Sequence, residues 1–345
     1  VKLDESIELG PLTTLGVGGR ARYFFDAPNV EAVKGALAWA KQRGVETRIL
    51  GGGSNVVIAD DGFAGLVLRT AIRGRSFAER GGTELRVGAG EPWDEVVRDS
   101  VERGLQGLEC LSGIPGWAGA TPIQNVGAYG QEVAETVTAV EVLDRATLEV
   151  RELSLSECRF AYRDSRFKSE DPERFVVLAV RFMLNARTPP SVRYTELTRH
   201  LAESGIEHPS LLDVRRAVLL LRGRKSMLYD PNDENGRSCG SFFTNPVVSS
   251  ERAGAIEESS GDRAMPRYPQ PDGRVKLAAG WLIERAGFSK GFRRGNVGLS
   301  TKHALAIVCH EGARAADVLE LAHVVRSGVR ERFGVELVNE PVVWA

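Results

Sequence analysis

The sequence predicts an α+β chain, and three observations carry that expectation. Residues 1 to about 187 mix short β-rich runs with helical periods around two glycine turns, GGGSN at 51–55 and LSGIPGWAGATPIQNVGAYG at 111–130. Two β-rich runs at 137–143 and 148–153, joined by a short turn, predict a hairpin. Thr188-Pro189-Pro190 then breaks the pattern as a hinge or linker would, and the helical content rises after it.

Taken in order, LTTLGVGGRARYFF at 12–25 is a glycine turn feeding a strand. Asn29 caps a helix whose apolar positions Val30, Val33, Leu37 and Ala40 recur every three or four residues, and Gly44 supplies its stop. The strand at 47–50 runs into GGGSN, and Asn55 leads into VVIA, another strand-like run. A dinucleotide fingerprint would need GxGxxG opening a helix inside a βαβ unit, so a Rossmann nicotinamide site is rejected here. Gly88 and Gly90 make a second near match before a helix at 92–103, but Trp93 replaces the third glycine, so the stretch reads as strand, turn and helix start. A longer strand is expected at 175–184, with helices at 194–203 and 211–222 and an Asp/Asn/Gly-rich loop leading to Ser241. Amphipathic helices at 276–286 and 315–332 and a strand at 334–344 complete the expectation.

Composition narrows the function. The 345 residues are 42% apolar and 26% charged, enough for two or three soluble domains, and the net charge of −1 gives no basic field for nucleic acid or an anionic membrane. An anionic ligand must therefore be held by local placement. Cys110, Cys158, Cys239 and Cys309 form no CxxC pair or zinc-spaced cluster, so no metal is expected and the thiols read as reduced. VKLDESIELG lacks the form of a secretory leader, and no run approaches the roughly 18 apolar residues of a membrane span, so a cytoplasmic protein is expected.

The 111–130 stretch holds five glycines and two prolines in twenty residues. Glycine admits φ > 0 and close backbone approach, proline fixes its own φ, and successive N–H groups in a turn make an anion-binding concavity. Gln124 and Asn125 add amide groups suited to a phosphate or a heteroaromatic edge, although a structural double turn between strands would show the same composition. CRFAYRDSRFK at 158–168 is compatible with a solvated charged loop, and GSFFTNP at 240–246 with a turn that two phenylalanines anchor.

Five stretches occur in a specific order: TTLGVGGRA, ILGGGSN, SGIPGWAGATPIQNVGAYG, CRFAYRDSRFK and GSFFTNP, followed by YPQPDGRVKLAAGWLIERAG and GVELVNEP. Through them the chain resembles, over most of its length, the UDP-N-acetylenolpyruvoylglucosamine reductases, flavoenzymes of peptidoglycan precursor synthesis. The resemblance implies a two-part FAD domain of the vanillyl-alcohol-oxidase type, residues 1–70 and 71–210, and a C-terminal α+β substrate domain, residues 211–345. It implies non-covalent FAD held by Gly51, Gly53, Ser54 and Asn55 in one turn and by Pro115, Gly116, Thr121, Gln124, Asn125 and Gly127 in the other, with Tyr162 nearby. NADPH would reduce FAD, and hydride from flavin N5 would reach the vinyl carbon of an enolpyruvyl ether. By the same resemblance Arg163 and Glu340, the latter protonated, stabilise the enolate, and Ser241 gives the proton. Asn245, Tyr268 and Lys276 match residues of the UDP-sugar site, and Tyr194 matches a tyrosine that closes over the diphosphate in longer-chain members.

Three positions depart from the family pattern. Met227 stands near the point of a common lysine, leaving Arg224 or Lys225 for the phosphate; Val342 replaces an arginine and Cys309 an asparagine. A covalent flavin is disfavoured, because neither glycine turn holds a histidine or cysteine. A monomer is expected, and a UDP-sugar sensor without turnover is the alternative to an enzyme.

Overall fold

A computed structural model describes residues 1–186, 188–230, 232–262 and 265–344. Two compact units divide the chain discontinuously. The first comprises Val1–Ile7, Ala21–Gly53 and Phe63–Leu228, and the second Glu8–Arg20, Ser54–Gly62 and Tyr229–Ala345.

In the first unit, Arg20–Ala27 and Thr47–Leu50 both pair in parallel with Phe63–Thr70. The helix Val30–Arg43 connects two of these strands, as a parallel pair requires. Asn29 accepts the Ala32 N–H and Gly44 stops the helix at φ 64°, as its sequence predicts. A larger antiparallel sheet runs in the order Val150–Ser154, Val137–Asp144, Phe175–Ala186, Thr83–Gly88 and Arg75–Glu79. Its buried face packs Leu85, Val87, Val140 and Phe182 against Trp93, Val96 and Val97 of the helix Trp93–Glu102. Its other face is laced by ion pairs, Arg86 with Glu141 and Arg181 with Glu84, Glu141 and Glu152. An antiparallel sheet with one wet face allows that division. Helices Thr195–Glu203 and Leu211–Arg224 bury Leu197, Leu201, Val214 and Val218 in a separate small core that also holds Cys110.

The second unit has a sheet in the order Ser238–Ser241, Ala306–Cys309, Val297–Leu299 and Arg293–Arg294, and a three-stranded sheet in the order Val247–Val248, Val275–Leu277 and Arg267–Pro269. The helix Ala315–Phe333 buries Val318, Leu321, Ala322, Val325 and Val329, the stripe its spacing predicts. Two expectations are corrected here. Residues 275–277 form a strand and the helix is only Ala279–Arg285, because Val275 and Leu277 alternate inward around Lys276. In the 334–344 stretch only Val342–Trp344 is a strand, pairing in parallel with Val56–Ile58. Val335 and Leu337 are buried in alternation, but outside any ladder.

Candidate active site

The two glycine turns of the first unit abut. A Cβ placed on Gly52 would lie 2.6 Å from the Gly116 Cα and 3.0 Å from the Trp117 nitrogen, so only glycine lets the turns touch. Among the described residues, no protein acceptor takes the N–H of Gly51, Gly52, Gly53, Gly116 or Trp117. Unpaired N–H groups gathered on touching turns form the concavity that binds an anion, and Gly53 at φ 66° and Gly116 at φ 109° supply the backbone such a nest needs. This donor set fits a pyrophosphate such as that of FAD.

The rest of the loop is held from inside the protein. Gly116 accepts the Trp93 N–H at 2.9 Å, and Glu91 accepts the Ala118 N–H through its carbonyl at 2.8 Å, so residues 88–93 brace the loop. Thr121 is buried and donates to the Ala118 carbonyl at 2.8 Å. Asn125, buried at φ 47°, donates to Glu132 at 2.7 Å and to the Ala161 carbonyl at 3.0 Å, and accepts the Ala134 N–H at 3.1 Å. Its amide is therefore spent on fixing the loop. Gln124 and Pro115 remain half-buried. Asp94 accepts the Gly113 N–H at 2.6 Å and both Nη atoms of Arg215 at 2.7 and 2.8 Å. Burial alone would raise its pKa, but the Arg215 and Gly113 bonds outweigh that and hold the carboxyl below its ordinary value.

Asn125 also tethers the turn that carries Arg163. Ala161 and Asp164 exchange N–H···O bonds of 3.0 and 3.1 Å around Tyr162 and Arg163, and Arg163 sits at φ 53°. Its Nη2 donates to the Gly127 carbonyl at 2.6 Å, and its guanidinium carbon lies 5.4 Å from the Tyr162 ring centre. Arg163, Tyr162 and the 111–130 loop are thus one bonded assembly. At the loop's far end, Tyr194 meets the ring of Tyr129 edge-on at 5.5 Å. Tyr129 had no part in the sequence expectations; its place in GAYG, an aromatic between turn glycines, was the available signal. Lys225 is ion-paired to Glu196 at 2.5 Å, whereas Arg224 is exposed.

In the second unit, Ser241 ends a strand and is followed by Phe242 and Phe243, both buried and edge-to-face at 5.3 Å. The Phe242 carbonyl accepts the Glu340 N–H at 2.9 Å, which brings the Ser241 and Glu340 segments together. Asn55 binds the same segment, donating to the Glu340 carbonyl at 3.3 Å and accepting the Val342 N–H at 3.1 Å; Ser54 precedes it, half-buried. Val342 therefore serves the strand pairing. Tyr268 and Lys276 lie directly opposite each other on neighbouring strands, so their side chains share a face. The Asn245 side-chain oxygen accepts the Ala279 N–H at 2.9 Å and caps the following helix. Burial pushes the Cys239 thiol well up, which keeps it protonated beside this segment.

Comparison with known proteins bears on the fold and the family. Residues 21–154 match the model of an FAD binding domain, and residues 230–344 match the C-terminal domain of UDP-N-acetylenolpyruvoylglucosamine reductase. These define the class: an FAD-dependent oxidoreductase with an α+β fold. The UDP-N-acetylenolpyruvoylglucosamine reductase of Thermobifida fusca is 47% identical over 346 residues, covering 98% of this chain and 97% of that one. That of Mycolicibacterium smegmatis is 48% identical, covering 99% and 96%. The crystal structure of the Thermus caldophilus reductase matches with a TM-score of 0.69 at 28% identity, covering 100% of this chain and 99% of that one. The chain belongs to the UDP-N-acetylenolpyruvoylglucosamine reductase family.

Proposed function

We propose that the protein reduces UDP-N-acetylglucosamine enolpyruvate to UDP-N-acetylmuramate at the expense of NADPH. The observation that carries this reading is the bond from Arg163 to Gly127, which fixes a cation on the same loop that holds the anion nest. Gly51, Gly53, Gly116 and the neighbouring N–H groups would hold the FAD pyrophosphate, with Ser54, Asn55, Thr121, Gln124 and Tyr162 completing the FAD contacts. FAD, when bound, accepts two electrons from NADPH and returns them as hydride from N5 to the terminal vinyl carbon.

That transfer leaves negative charge on the enolate of the substrate carboxylate. Arg163 meets this charge as a fixed cation, and protonated Glu340 donates a hydrogen bond to it. Ser241 then gives its proton to the α-carbon, so CH2=C becomes CH3–CH with one hydride and one proton added. A serine hydroxyl is a weak acid and suits the role only because the enolate is strongly basic. For the UDP-sugar, Tyr268 and Lys276 offer a ring and an ammonium from one face, and Tyr194 packs against Tyr129 of the 111–130 loop. Arg224 is favoured over Lys225 for the diphosphate, since Lys225 already has its carboxylate. Asn245 would contribute on the uridine side through its remaining donors.

An anaerobic visible spectrum tests the whole reading. The flavin bands should bleach with NADPH and return on adding the enolpyruvyl sugar. Bands that stay bleached would indicate a sensor that binds without turnover, and a protein that takes up no FAD would overturn the nest.

A further inference from the structure

Arg163 occupies a position that arginine does not favour. It is the third residue of the Ala161–Asp164 turn, at φ 53°, whereas Tyr162 before it is not in the left-handed region. A turn with positive φ only at its third residue normally takes glycine or asparagine there, because a Cβ strains the backbone. Something must hold the residue in place. The guanidinium is tied to Gly127 at the tip of a long side chain, and the reciprocal Ala161–Asp164 bonds close the ends of the turn rather than gripping the Arg163 carbonyl.

The Arg163 carbonyl itself is held by Lys168. Its Nζ donates to the Arg163 carbonyl at 2.9 Å. Among the described residues no carboxylate lies within ion-pair distance of this half-buried ammonium, so its charge is directed at that one carbonyl. The reach depends on local structure: Arg166–Glu170 forms a π-helical turn, a wide turn that is rare and recurs at functional sites. Lys168 comes five residues after Arg163. Asp164 secures the base of the same turn, its Oδ1 accepting the Ser165 N–H at 2.8 Å and the Ser169 hydroxyl at 2.5 Å.

We infer that Lys168 is a positioning residue for the oxidative half-reaction: its ammonium locks the strained Arg163 backbone and so aims the guanidinium. This rests on the reading of Arg163 as the cation that meets the substrate carboxylate. Without Lys168, the Arg163 backbone relaxes toward negative φ and its Cβ swings away from Gly127. The cation stays in the protein but loses its aim.

The test uses the FAD-loaded enzyme and follows the two half-reactions separately by anaerobic stopped flow. Lys168→Met should slow flavin reoxidation by saturating enolpyruvyl sugar about 10- to 100-fold, the loss typical of a small misplacement of a reacting group, while NADPH reduction changes less than about twofold. Lys168→Arg, which keeps the donor, should recover most of the rate. In an Arg163→Met background, Lys168→Met should add nothing. Equal slowing in both backgrounds, or reoxidation by Lys168→Met within about twofold of the unmodified enzyme while Arg163→Met collapses, overturns the positioning role alone. If Arg163→Met itself reoxidises normally, the role proposed for Arg163 falls and takes that of Lys168 with it.

Discussion

In the two glycine turns of the first unit the backbone carries the unbonded N–H groups while polar side chains turn inward; in the Ser241 segment of the second unit the arrangement is reversed. Asn125 and Thr121 are consumed by the loop they belong to. Around Ser241, by contrast, the flanking backbone is bonded, with the Phe242 N–H on Leu305 and its carbonyl on Glu340, and the hydroxyl is the group to which the proposed reaction assigns proton donation. The difference teaches which atom matters. A backbone site is broken by adding one carbon, and a side-chain site by removing one oxygen.

The largest effect should come from the side-chain site. Ser241→Ala is expected to slow flavin reoxidation by the enolpyruvyl sugar about 10²- to 10⁴-fold, the usual contribution of a positioned acid, with NADPH reduction intact. Equal loss in both half-reactions would remove Ser241 as proton donor. The backbone site offers a sharper contrast between neighbours. Gly52→Ala drives a methyl into Gly116 and should cost about 1–3 kcal/mol of stability and release flavin, read by thermal melting and by absorbance after gel filtration. Gly51→Ala meets only the Ala120 methyl at 3.5 Å, an ordinary contact, and should stay within about 1 kcal/mol. Matching losses for the two would mean that contact between the turns is not what shapes the nest.

The smallest effect concerns the brace at Gly113. Asp94 has a pKa below its ordinary value, so its pairing with Arg215 stabilises fully above about pH 5 and is lost as pH falls through the folded pKa. Because Asp94 is partly solvated, solvent screening limits the effect to about 1 kcal/mol or less. Denaturant melts of Asp94→Asn and the unmodified protein should differ at pH 6 and converge toward pH 3. A gap that widens in acid would contradict the assignment.

The same contrast explains what the sequence made legible. Helix ends such as Asn29 and Gly44 are local, as is the hairpin at 137–154, and both stood where expected. The family was legible because several glycine and charged stretches recur in order. Gly52 was overlooked between Gly51 and Gly53, since its necessity lies in a contact with Gly116 that sequence does not display. The helix expected at 276–286 takes in Lys276 and Leu277, which belong to the strand Val275–Leu277, because so short a run cannot separate a period of two from one of 3.6. The inward amide of Asn125 and the cap supplied by Asn245 depend on partners 36 and 34 residues away, beyond any local pattern.

The parallel pairing of Val56–Ile58 with Val342–Trp344 also bears on how the molecule is made. Asn55 and Glu340, bonded beside that pairing, are 285 residues apart. At about 5–20 residues per second, a ribosome needs on the order of 15–60 s to span that interval. Throughout, the Val-Val-Ile strand is an unclaimed edge in a growing chain, the kind of segment that recruits wrong partners. The Glu340 segment would thus join Asn55 only after that interval, and a chaperone that shields early strands should raise the yield of active enzyme more than that of folded first unit.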